Sequence, residues 1–112
     1  MVIGVPIEIK ANENRVAMTP YAVYGLTKEG HRVLIQDNAG IKSGFTNDEY
    51  KDNGATIVGT LDEIYDESEL VVKVKEPQPE EFPLIRPNQI LFTYFHFAAD
   101  ENLTSRIRET KA

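Results

Sequence analysis

The chain has 112 residues, with 12 Lys and Arg against 18 Asp and Glu, for a formal net charge of −6 at pH 7. That length suits one domain and excludes most two-domain machines, and the acidic balance argues against a nucleic-acid surface, which needs clustered cations to displace counterions from phosphates. A hydrophobic share of 41% is enough to bury a core, while the absence of Cys removes disulfides, thiolate nucleophiles and thiolate metal sites.

Two periodicities alternate along the chain. Val2–Val5 is a short apolar run stopped by Pro6, with no basic region before it, and predicts a first strand rather than a leader. Thr19-Pro20 supplies an N-cap and an N1 proline for a helix to about Glu29, with Val23, Leu26 and Thr27 facing inward and Gly30 as its stop. Arg32–Gln36 predicts the second strand and Asp37–Ser43 a loop. Thr46-Asn47-Asp48-Glu49 has the pattern of a capping box, opening a short helix that ends at Asn53-Gly54, and Thr56–Val58 predicts the third strand. Thr60 caps a helix around Leu61–Tyr65, and Leu70–Val74 predicts a fourth strand, apolar on both faces at its start. Prolines 77, 79, 83 and 87 punctuate the next stretch, with one or two helical turns over Glu80–Ile85. Gln89–Phe95 predicts the fifth strand, and Asp100 caps a last helix through Glu109.

Strands alternating with helices across short loops predict an α/β fold: a mostly parallel open sheet of about five strands with helices on both faces, Rossmann-like or flavodoxin-like. No run approaches the roughly 20 apolar residues of a membrane span. The expectation is a cytoplasmic domain with neither membrane nor nucleic acid as partner.

Ligands of open parallel sheets bind beyond the carboxyl ends of the strands, and three candidate groups follow strands at that edge. The first lies in Ile7–Met18, a loop long enough to suggest function. Its Arg15 either captures a carboxylate with its planar fork or pairs with Glu13 or Glu8 at the surface. The second is Lys73-Val74-Lys75, whose lysines share one strand face if the strand runs on. Such an amine polarises a carbonyl oxygen, or both lysines reach out to solvent. The third is His96, which titrates near neutrality and serves either as a general acid/base or as a hydrogen-bonded structural residue. Together they suit a small 2-oxo or 2-amino acid. His31 precedes the second strand, at the opposite end of the sheet, and reads as structural; two histidines do not suggest a metal site. No G-x-G-x-x-G, P-loop or G-x-S-x-G pattern occurs.

Pro6, Glu8, Lys10, Glu13, Arg15-Val16-Ala17 and Thr19-Pro20 resemble the opening of the alanine dehydrogenase and proton-translocating transhydrogenase superfamily. Gly30-His31-Arg32-Val33, Lys73-Val74-Lys75-Glu76-Pro77 and Gln89–His96 extend the likeness in the same order. The alanine dehydrogenase branch carries the Lys75 and His96 pair that transhydrogenase subunits typically lack. The resemblance implies that residues 1–112 are an incomplete amino-terminal substrate-binding domain in which Arg15 binds the substrate carboxylate, Lys75 contacts the carbonyl oxygen of pyruvate and His96 is the catalytic acid/base. It further implies reversible oxidative deamination of L-alanine to pyruvate and ammonia, with NAD held by a second domain and not by this stretch, which would be inactive alone. It also implies a homo-oligomer, hexameric in the full-length family. The alternatives are a non-catalytic carboxylate- or protein-binding module and the related domain of a proton-translocating transhydrogenase subunit.

Overall fold

A computed structural model of the chain describes residues 1–10 and 13–93. Among the described residues five strands form one sheet: β1 (Val2–Val5), β2 (Arg32–Gln36), β3 (Thr56–Val58), β4 (Leu70–Val72) and β5 (Ile90–Phe92). All four pairings are parallel and the order is β3-β2-β1-β4-β5, the Rossmann arrangement rather than the flavodoxin one. Three helices connect them: α1 (Pro20–Lys28), α2 (Asn47–Asp52) and α3 (Leu61–Glu67).

Parallel strands need crossovers, and right-handed crossovers on either side of a switch in strand order place helices on opposite faces. Ile3 and Val5 of β1, Val33 and Ile35 of β2 and Val72 of β4 accordingly bury against Val23 of α1 and Tyr50 of α2. The alternate residue Leu34 meets Val58 and Ile64 of α3 on the other face. There α3 ends so close over β1 that a Cβ on Gly4 would stand 2.0 Å from Ser68 Oγ.

The helix ends follow local chemistry. Thr19, Thr46 and Thr60 each accept an amide hydrogen bond at an N-cap, and Thr46 with Glu49 completes the reciprocal capping box. After α1, Gly30 (φ 94°) donates to Thr27 O and His31 to Leu26 O, a Schellman closure that requires the left-handed backbone glycine tolerates. Gly54 (φ 101°) closes α2 in the same way.

Four boundaries differ from expectation. β4 stops at Val72 rather than Val74, and α3 runs on to Glu67. The helical turns expected over 80–85 reduce to one 3₁₀ turn, Phe82–Leu84, while Ile41–Ser43 forms a 3₁₀ turn within the expected loop. The described part of the expected fifth strand pairs over Ile90–Phe92; positions 94–95 and the helix expected at 100–109 lie outside the described residues.

Candidate functional site

The strand order reverses between β1 and β4, so the crevice that open sheets use for ligands opens beyond Val5 and Val72. Two segments meet there: the loop that follows β1 and the stretch 73–76 that follows β4.

The first segment carries Glu8, Glu13 and Arg15. The Glu13 carboxylate accepts Arg15 Nε at 3.0 Å and Nη2 at 3.0 Å, together with the Arg15 backbone amide at 2.8 Å. Glu13 is the buried partner, with its side chain 4% exposed against 68% for Arg15. The Arg15 side-chain hydrogen bonds, then its amide, and then the charges of Arg15 and Lys75 outweigh burial and hold the Glu13 carboxyl at about 2, against an ordinary 4.5. The pairing foreseen for Arg15 is therefore present, yet it engages only one edge of the guanidinium. A second edge, bearing Nη1 and the other Nη2 proton, keeps the geometry that a second carboxylate needs. Arg15 also borders a pocket of about 350 Å³ with Val16, Ala17, Ser43, Phe45 and Val74.

The second segment departs from the expected strand. Lys73 still donates its amide to Phe92 O at 2.9 Å, but the backbone then bends, and Val74 N (2.9 Å) and Lys75 N (3.1 Å) both donate to the Glu8 carboxylate. Successive amides of an extended strand point in opposite directions, so two that converge on one anion mark a turn. The two lysines consequently do not share a face. Lys73 is buried, its side chain 1% exposed, with Nζ 3.3 Å from Glu8 Oε1 and 3.1 Å from Glu81 Oε1. Glu81 is completed by Tyr65 Oη, which donates at 2.7 Å, and by the Gln78 amide at 2.7 Å. Burial, then the Glu81 charge, raises the Tyr65 phenol well above its ordinary value and keeps it a neutral donor. Lys75 is only partly buried, and its charge helps to depress the carboxyls of both Glu13 and Glu76. Glu76 pairs with Lys10 of the first loop, which ties the two segments at their outer end; against the opposing effect of burial, the Lys10 hydrogen bond is the largest influence lowering its carboxyl.

Arg15 thus clamps Glu13 at a pocket that Val74, the neighbour of Lys75, also lines, whereas His96 lies outside the described residues. The buried set of Glu8, Lys73, Glu81 and Tyr65 was not foreseen as a unit. Its one legible sign was a lysine directly after Leu70-Val71-Val72, where solvent is remote.

A sequence profile described as "Alanine dehydrogenase/PNT, N-terminal domain" matches residues 4–112. The chain belongs to this family. Within it, the chain is 49% identical over 109 residues to alanine dehydrogenase of Bacillus subtilis (strain 168), covering 97% of this chain and 29% of that protein. It is 48% identical over 111 residues to alanine dehydrogenase of Methanococcus maripaludis, covering 99% of this chain and 30% of that protein. A solved L-alanine dehydrogenase superposes with a TM-score of 0.95 at 44% identity over 98% of this chain and 30% of its own. A transhydrogenase from Sinorhizobium meliloti superposes with a TM-score of 0.91 at 22% identity, covering 99% of this chain and 33% of its own, which shows a shared fold. The chain spans about 30% of the length of the curated relatives it matches.

Family membership raises the question of a dinucleotide. A Rossmann cradle offers free backbone amides from a glycine-rich turn after the first strand. Here that turn reads Pro6-Ile7-Glu8, and Glu8 places a buried carboxylate in the crevice and consumes the amides of Val74 and Lys75. The described residues do not fit a pyrophosphate.

Proposed function

We propose that this chain is the substrate-binding domain of an NAD-dependent alanine dehydrogenase, acting on the pair L-alanine and pyruvate. The observation that carries the reading is the clamp of Arg15 on the buried Glu13 beside a pocket that Arg15 and Val74, the neighbour of Lys75, both line. The names and identities of its relatives support it.

In this reading the free edge of Arg15 takes the substrate carboxylate, and its clamp on Glu13 fixes the fork before substrate arrives. Lys75 places a positive charge against the carbonyl oxygen of pyruvate, which gains negative charge as ammonia adds and loses it as water leaves. His96, assigned on the resemblance alone, passes the proton in each direction. NAD is the hydride acceptor. Because Glu8 occupies the crevice of this sheet, the reading places it on another domain. It also makes the protein a cytoplasmic homo-oligomer; half-exposed Ile90 and Phe92, two positions apart on β5, support the self-association.

Grafting this chain onto the B. subtilis relative in place of its matching segment gives the test. The graft reduces NAD with alanine, and Lys75→Ala, Arg15→Ala or His96→Ala each lowers turnover by about 100-fold or more. Losses below about tenfold for both Lys75→Ala and His96→Ala would overturn the assignment.

A further inference from the structure

The backbone bend between β4 and Lys75 is held by a side chain from the loop that follows β1. Glu8 accepts Val74 N at 2.9 Å on one oxygen and Lys75 N at 3.1 Å on the other, and the second oxygen also meets Lys73 Nζ at 3.3 Å. Its carboxylate is buried, so these are strong charge-assisted bonds. Lys73 in turn is pinned from its other side by Glu81, itself held by Tyr65 and the Gln78 amide, and is too enclosed to meet a ligand. The anchor therefore has a defined direction: Tyr65 and Gln78 fix Glu81, Glu81 fixes Lys73, and Lys73 fixes Glu8.

We propose that Glu8 is a positioning residue for Lys75: by gathering the amides of Val74 and Lys75 it sets the bend that takes Lys75 out of the strand, next to Val74 at the pocket that Arg15 borders. Without the anion, two converging N–H groups have no acceptor and the bend loses its cause. The backbone then relaxes toward strand alternation, which returns Lys75 to the face that Lys73 occupies. A glutamine does not substitute, because it has no charge for the Lys73 ammonium and one of the two oxygens that each take an amide becomes an NH₂ group facing a donor. The same geometry explains how one ammonium serves two buried carboxylates, since two amide N–H groups stabilise Glu8 and the Tyr65 hydroxyl and Gln78 amide stabilise Glu81.

The inference rests on the reading of Lys75 as the group at the substrate oxygen, and two variants keep the two apart. In the grafted enzyme Glu8→Gln lowers kcat for pyruvate amination by at least about tenfold while KM for NADH stays within about twofold. In the 112-residue chain the same variant speeds hydrogen exchange of the Val74 and Lys75 amides by at least about tenfold, with the Leu34 and Ile35 amides of β2 little changed; a general loss of structure would move all of them together. If Glu8→Gln does not fold, Glu8→Asp, which keeps the charge and shortens the reach, carries the same two readouts with smaller shifts in the same direction. Unchanged exchange at both amides, or kcat within about threefold of the parent while Lys75→Ala abolishes turnover, overturns the role of Glu8. A Lys75→Ala enzyme that keeps its kcat overturns instead the reading of Lys75 on which it rests.

Discussion

Replacing Lys73 by methionine, which keeps the length of the side chain and removes its charge, tests whether the buried ions are held as described. At an effective dielectric constant of about 20, each contact of Nζ, at 3.3 Å to Glu8 and 3.1 Å to Glu81, contributes roughly 5 kcal/mol of attraction. Desolvation of three ions offsets much of that sum. What remains decisive is the asymmetry: methionine leaves two enclosed carboxylates facing each other with no cation between them, and breaking a buried pair in this way costs about 3–5 kcal/mol. A domain of this size has a total stability of about 5–15 kcal/mol. With a urea slope of about 2 kcal/mol per molar, the unfolding midpoint followed by circular dichroism falls by roughly 2 M. Adding Glu81→Gln to Lys73→Met recovers part of the loss, because one of the stranded charges is gone. A cost below about 1 kcal/mol for Lys73→Met would mean that Lys73 reaches water, and would refute the buried arrangement.

Other outcomes follow from local features. Glu13 titrates at about 2 in the folded protein against an ordinary 4.5, so it contributes stability above that ordinary value and loses it as pH falls from about 4.5 toward 2; Glu13→Gln flattens the stability profile in that window, as thermal unfolding across pH would record. Thr46→Ala removes the N-cap acceptor of α2 and costs about 1 kcal/mol in denaturant titrations. Gly54→Ala meets both a φ of +101° and a Cβ 2.6 Å from Thr27 Oγ1, and loses upwards of about 1 kcal/mol by the same measure, whereas the fully exposed Gly25 of α1, with open space around its Cβ, gains up to about 1 kcal/mol as alanine.

The parts of the fold legible in the sequence are those that a few consecutive residues decide. Thr19-Pro20 and Thr46 through Glu49 announce helix starts because capping is satisfied within one turn, and Gly30 and Gly54 announce helix ends because only the left-handed region closes them. Arg15 beside Glu13 was equally readable, two positions apart in one loop. The end of β4 was not. Alternation carries the strand through Val74, and it is overruled by Glu8 on another strand's loop and by Glu81 beyond a run of prolines, neither visible from the lysines themselves. The burial of Lys73 is decided by partners brought in by topology, which no local pattern encodes.

The loop that presents Arg15 has one more property, visible in what holds it. Ile7 N donates to Gln36 Oε1 at 2.8 Å, Ser43 Oγ to Asn14 O at 2.8 Å and Tyr50 Oη to Met18 O at 2.7 Å. All three tethers come from residues that follow the loop in the chain, across β2, the turn after it and α2. The Arg15 end of the loop is thus held from the turn after β2 and from α2, while Glu8 and Lys10 nearer its start are held from residues 73–76. Loosening α2 would free Met18 O from Tyr50 and slacken the segment that carries Arg15, so a substitution in α2, outside the loop, reaches the arginine through the backbone.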